Sequence, residues 1–217
     1  MLDTDTIMML VEGTRDTLYM TLMSTLFGYV LGLPMGIILT VTDKDGIRPN
    51  AAVYKVLDVI VNILRSVPFL ILLILVMPFT KAIVGKTYGS TATIVPLVIA
   101  AAPFIARMVE SSLKEVDPGV IEAAVSMGAG TGTVIWKVML AEARTSLLVG
   151  VTIAIGTILG YSAMAGTVGG GGLGDIAIQY GYYRYETEIM IVTVVVLVVL
   201  VQILQSIGMM VSRKLDK

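Results

Sequence analysis

The chain has 217 residues, 15 of them Lys or Arg and 16 Asp or Glu, for a net charge of −1. Only 14% of the residues are charged and 56% are hydrophobic, too apolar a balance for a soluble domain of this length. Near-neutral charge argues against nucleic acid as a partner, and the absence of cysteine and histidine excludes disulfides, thiol chemistry and the commonest metal ligand. The long uncharged runs predict an all-α integral membrane protein forming a single transmembrane domain over 1–217.

Residues 1–16 carry Asp3, Asp5, Glu12, Arg15 and Asp16. They read as a short exposed segment of one or two helical turns at the interface, and the early acidic residues do not suit a cleavable signal peptide. Residues 17–42 have no charge and form the first span, where Gly28, Gly32 and Gly36 recur every four residues. That spacing predicts close packing against another helix. Pro34 is expected to kink the span. Turn chemistry follows in Asp45-Gly46 and Arg48-Pro49-Asn50.

The second span is read over 56–80. Pro68 and Pro78 are expected to interrupt its helix, and the charge of Arg65 should snorkel to an interface or pair with a nearby carboxylate such as Asp58. Gly85-Lys86-Thr87 has the tail of a phosphate-binding P-loop, but Thr80 stands where the first glycine is required. The chain therefore has no P-loop with which to hydrolyse ATP. The third span covers 90–106 and ends at Arg107 and Glu110.

A polar interruption runs over about 111–141. Asp117 suits an N-cap and Pro118 the first helical position. Val120, Ile121, Ala124 and Val125 fall to one side of the expected helix, with Glu122 and Ser126 on another, and Gly128 can end it in the left-handed conformation. Trp136 suits an interface anchor. The fourth span covers 145–165. Gly169, Gly171 and Gly174 formally match a dinucleotide-binding pattern, but no strand precedes them, so a flexible, tightly turning loop is the better reading. Tyr180, Tyr182, Tyr183 and Tyr185 belong at a membrane–water boundary. The fifth span covers 189–211.

Five spans place the termini on opposite sides. With the N-terminus outside, the inner side holds eleven basic residues (Lys44, Arg48, Lys55, Arg65, Arg107, Lys114, Lys137, Arg144, Arg213, Lys214 and Lys217) and the outer side four (Arg15, Lys81, Lys86 and Arg184). The bias predicts a cytoplasmic C-terminus and a cytoplasmic Glu122 loop.

Glu122-Ala123-Ala124, Gly128 four residues later, and then Val138-Met139-Leu140 resemble the EAA loop of the permease subunits of binding-protein-dependent ABC importers. The sequence departs from that pattern where Val138 and Ala141 stand in place of isoleucine and proline. Further stretches resemble the methionine branch of the family: Arg65-Ser66-Val67-Pro68-Phe69, Ala101-Ala102-Pro103-Phe104, Gly160-Tyr161-Ser162-Ala163-Met164 with the glycine loop, and Gln179-Tyr180-Gly181-Tyr182. The likeness extends from about residue 14 to the end.

The resemblance implies a type I ABC importer permease in the bacterial cytoplasmic (inner) membrane. Two copies would pair around the pathway, two separate ATP-binding subunits would hold ATP and Mg, and an extracytoplasmic binding protein would deliver methionine. Glu122, Ala123, Ala124, Met127 and Gly128 would couple to the ATPase. Ser66, Pro68, Tyr161, Ser162 and Met164 are candidates for the translocation pathway, with helix packing as the plainer alternative. Gly169, Gly171, Gly174, Tyr180 and Tyr182 are candidates for the outer loop that meets the binding protein. No catalytic residue, metal site or cofactor is expected in this chain. The alternatives are a permease for another small amino acid or peptide and, from a different class, an ATP-independent secondary transporter. The second would normally carry acidic residues in mid-membrane, and none is evident here.

Overall fold

The computed structural model describes residues 3–215, and all regular elements among them are helical. Lys217, counted above among the inner charges, lies outside the described residues. Helix α1 runs unbroken over Thr4–Thr42, with the Asp3 carboxylate accepting a hydrogen bond from Thr6 N–H at 2.9 Å. Its 39 residues make about 58 Å of helix, well beyond the ~30 Å apolar core of a bilayer. The expected separate segment over 1–16 is thus corrected: the acidic residues lie on the surface of the same helix, and no proline interrupts it before Pro34.

The glycine seam of α1 packs against α5 (Ser90–Lys114). A Cβ added at Gly32 would lie 2.7 Å from the Ala102 carbonyl oxygen and 2.8 Å from Ile105 Cβ; one at Gly36 would lie 2.6 Å from both the Ala106 carbonyl oxygen and Val109 Cβ. Contacts this short require glycine at both positions. The order of the contacts makes the two helices parallel.

The second hydrophobic stretch is broken near both prolines, as expected, and the break at Pro68 is a sharp corner. Helix α2 (Ala51–Ser66) is capped by the Asn50 side chain and ends before α3 (Phe69–Leu75) and α4 (Met77–Val84). Axes α2 and α3 meet at 103°. Pro68 has no N–H to donate and disfavours helical geometry at the residue before it; Val67 accordingly takes an extended conformation. Arg65 lies exposed in the last turn of α2, where the helix dipole favours a cation. Its expected neighbour Asp58 pairs instead with Arg107 of α5.

Beyond α5 come α6 (Pro118–Ser126), α7 (Thr131–Thr133), a π-helical turn (Val134–Met139), α8 (Leu140–Glu142) and α9 (Arg144–Ala165). A short α10 (Gly172–Ile176) and a second π-helical turn (Ala177–Tyr182) precede α11 (Thr187–Leu215). Helix α9 runs antiparallel to α5, with Ser146 Oγ donating to Ser112 Oγ at 2.9 Å. Helix α11 runs antiparallel to α9, with Ser212 Oγ donating to the Thr145 carbonyl at 3.4 Å.

The bundle therefore has a glycine-loop end, where the described chain begins, and an α6 end, where it finishes. Among the described residues four helices are each long and apolar enough to cross a membrane, and the bent α2–α3 pair makes a fifth crossing if counted as one span. One apolar core joins Phe69 and Leu73 of α3 through Ile105 and Leu113 of α5 to Ala124 of α6 and Ile158 of α9.

Candidate functional site

Helix α6 is defined by its own sequence. Asp117 Oδ1 accepts from Gly119 N–H at 2.6 Å and Pro118 opens the first turn. At the other end Ala129 N–H donates to the Ala124 carbonyl at 3.1 Å and Gly128 N–H to the Val125 carbonyl at 2.9 Å, with Gly128 at φ +84°. These two bonds form a Schellman C-cap, which requires the left-handed conformation at Gly128.

Ala124 is buried and Ile121 half-buried against the core that includes Val134 and Met139 of the first π-helical turn. Val120 and Val125, placed by spacing on the same side as these two, are exposed. A nine-residue helix with one small buried anchor presents most of its surface outward. Glu122, Ala123, Met127 and Gly128 are exposed, Met127 to 82%. A cleft of about 770 Å³ separates α6 from the α1–α2 loop, with Asp43, Asp45, Glu122, Ile121 and Val125 on its walls.

The α2–α3 corner meets α9 higher in the bundle. The Phe69 and Tyr161 rings stack with centroids 4.6 Å apart and planes 5° from parallel. Ser66 and Pro68 are exposed at the corner, and Ser66 Oγ donates to the Asn62 carbonyl at 2.7 Å. Tyr161 is half-buried and Met164 exposed. Ser162 is buried, its hydroxyl donating to the Leu159 carbonyl at 2.7 Å. The corner and Tyr161 thus come together.

At the opposite end the glycine loop is packed, which corrects the expectation of flexibility. Gly89 N–H donates to the Gly169 carbonyl at 2.8 Å, Thr93 Oγ1 to the Gly170 carbonyl at 3.1 Å, and Leu173 N–H to Thr17 Oγ1 at 2.9 Å. Gly174 lies against the backbone of Ala163. The positive φ of Gly169, Gly171 and Gly172 lets the loop turn tightly enough to reach all three helices. Tyr180 is half-buried beneath the Arg184 guanidinium, 4.3 Å from the ring centroid, while Tyr182 is exposed beside Tyr183.

Sequence spacing left the carboxylates scattered, but the structure gathers several into one network. Arg107 donates to Glu110 at 2.7 Å, to Asn62 at 2.9 Å and to Asp58, while Lys114 pairs with Glu110 at 2.8 Å and Asp43 at 2.6 Å. Arg107, Glu110 and Lys114 at i, i+3 and i+7 share one helix face, a signal that was legible in the sequence. Their partners on other segments were not. No group of acidic, His or Cys residues able to hold a metal occurs among the described residues.

An exposed helix capped at both ends and standing at one end of an apolar bundle is shaped for contact with a second protein. Residues 32–217 match the family described as "Binding-protein-dependent transport system inner membrane component", and the chain belongs to that family. It is 53% identical to a probable D-methionine transport system permease protein of Vibrio cholerae, over 96% of this chain and 92% of that one. It is 45% identical to the methionine import system permease protein of Bacillus subtilis, over 95% and 93% respectively. Its structure resembles a chain of an inward-facing methionine ABC transporter with a TM-score of 0.98 and 46% identity over the full length of both.

Proposed function

We propose that this chain is the membrane-spanning permease subunit of an ATP-driven methionine importer in the bacterial inner membrane. The observation that carries the reading is end-to-end likeness in sequence and structure to methionine permeases, the Glu122–Gly128 element included. The chain itself is no enzyme: a separate ATPase hydrolyses ATP with its Mg, and the permease changes shape.

In this reading the α6 end faces the cytoplasm, consistent with the basic bias among the loops there, and the glycine-loop end faces outward. Glu122, Ala123, Met127 and Gly128 meet the ATPase, and buried Ala124 ties them to the bundle. Two permease copies pair around the pathway, with two ATPase subunits below and a methionine-binding protein outside. The α2–α3 corner, Tyr161 and Met164 face the pathway. Tyr182 reaches the binding protein, and the packed loop containing Gly169, Gly171 and Gly174 holds that outer surface in shape. ATP-driven closure of the ATPase pair biases the permease between two conformations.

The test is uptake of labelled methionine into proteoliposomes containing the permease with or without its ATPase and binding protein. The reading expects uptake with the full set and internal ATP, and none from the permease alone. ATP-independent uptake by the permease alone would assign it to secondary transport. ATP-driven uptake of another amino acid in place of methionine would change the substrate and keep the class.

A further inference from the structure

The polar network around Arg107 fastens α2, whose apolar contact is small, to the closely packed α1–α5 pair. Helix α2 buries only Val61, with Tyr54 and Leu57 half-buried in a small cluster against Leu39 and Ala106. Its remaining attachment to α5 is polar. Asp58 and Asn62 of α2 both receive Arg107, and Tyr54 Oη donates to Glu110 at 3.4 Å. Glu110, with 6% of its side chain exposed, also accepts from Lys114, which binds Asp43 at the end of α1. The three segments are thus joined near one level by directional bonds.

The place of the network in the chain gives it a mechanical consequence. Only residues 115–117 separate the end of α5 from α6, and Val116 among them is buried. Asp58 lies at the middle of α2 and Asn62 one turn further on, in the half that leads directly to the 103° corner and to Phe69, stacked on Tyr161. A displacement of α6 reaches the root of α5 through a three-residue link. Beside the apolar contact of Phe69 and Leu73 with α5, it reaches the corner along α2 only if α2 follows α5. Apolar contact around one buried valine resists separation but allows sliding, whereas a multiply hydrogen-bonded guanidinium holds one register, because a shift of a single residue removes its acceptors.

We propose that Arg107, held by Asp58, Asn62 and Glu110, is a positioning residue that makes α2 move with α5 and so carries displacement of α6 to the α2–α3 corner. The inference rests on the reading above that α6 receives the ATPase. Arg107 touches neither substrate nor nucleotide in this scheme. Its loss separates hydrolysis from transport without removing either partner.

The experiment uses the complete transporter in proteoliposomes, comparing wild type with Arg107→Gln, Arg107→Lys and Asp58→Asn. Arg107→Gln should lower uptake about tenfold while ATP hydrolysis and recovered ATPase stay within about twofold. Arg107→Lys, which keeps the charge but not the planar fork, should fall between the two, as should Asp58→Asn. Because the chain has no cysteine, Ile63→Cys on exposed α2 places a single spin label in each permease copy. The nucleotide-dependent change in distance between the labels should be present with Arg107 and absent with Gln, which a purely stabilising role would not produce.

Normal coupled uptake in Arg107→Gln overturns the proposal, as does loss of the ATPase from that variant. If Arg107→Gln does not reach the membrane, wild-type uptake in Asp58→Asn overturns it. ATP-independent uptake by the wild type sinks the underlying reading of α6. ATP-driven wild-type uptake with an unimpaired Arg107→Gln variant sinks the positioning role alone.

Discussion

Replacing Gly128 by alanine isolates the C-cap of α6 from every other property of that helix. A Cβ at Gly128 would meet no atom within 4 Å, so the substitution causes no clash. The residue sits at φ +84°, however, where an L-amino acid pays about 1–2 kcal/mol. The chain can accept that cost or fray the last turn, giving up the bonds from Gly128 and Ala129 to Val125 and Ala124. In either case the population holding the capped geometry falls by roughly 5–30-fold relative to its alternatives. Helix α6 contributes one buried residue, Ala124, so melting of the bundle should barely change.

Gly130 is an internal control: it too has open space around a Cβ, but its φ of −69° suits any L-residue. The assay is the ratio of methionine taken up to ATP hydrolysed by the reconstituted transporter. Gly128→Ala should lower that ratio several-fold and Gly130→Ala should leave it unchanged, with Gly128→Asn in between because asparagine tolerates left-handed geometry. Equal effects at 128 and 130, or full coupling in Gly128→Ala, would refute the argument.

Three further outcomes concern the frame that holds these elements. Gly36→Val should cost at least 1–3 kcal/mol, roughly the penalty of overpacking, because its Cβ would lie 2.6 Å from the Ala106 carbonyl oxygen and from Val109; thermal unfolding in detergent checks this. Thr17→Val should cost about 1–3 kcal/mol by leaving the buried Leu173 N–H without its acceptor, and faster hydrogen exchange in the glycine loop should accompany the loss. The hydrogen bond from Lys114 holds the Asp43 carboxyl below its ordinary value of 3.8. Its contribution is therefore complete above that pH and is lost as pH falls through the lower folded value. Asp43→Asn should cost about 0.2–1 kcal/mol at pH 7, less in high salt because Lys114 is 42% exposed. The difference in melting temperature from wild type should vanish in strong acid.

The features readable from the residues alone are those set by neighbours along the chain. Hydropathy and low charge specify membrane helices, because burying unpaired backbone in lipid is prohibitive. The limits of α6 follow from Asp117, Pro118 and Gly128, since caps act within a single turn. The α1 seam follows from the spacing of Gly28, Gly32 and Gly36, though not the identity of its partner. The corner at Pro68 required the structure: proline permits a mild kink or a full break, and here Phe69 packing on Tyr161 accompanies the break. The length of α1 was hidden because surface charges on a helix read like a polar segment. The packed glycine loop depends on bonds such as that from Leu173 to Thr17, 156 residues apart, and the Arg107 network on partners 45 and 49 residues away. Local chemistry thus determined that the long apolar runs are helical and where α6 begins and ends. Only the tertiary fold decided which distant groups meet, because hydrogen-bond and packing geometry between segments has no counterpart in sequence spacing.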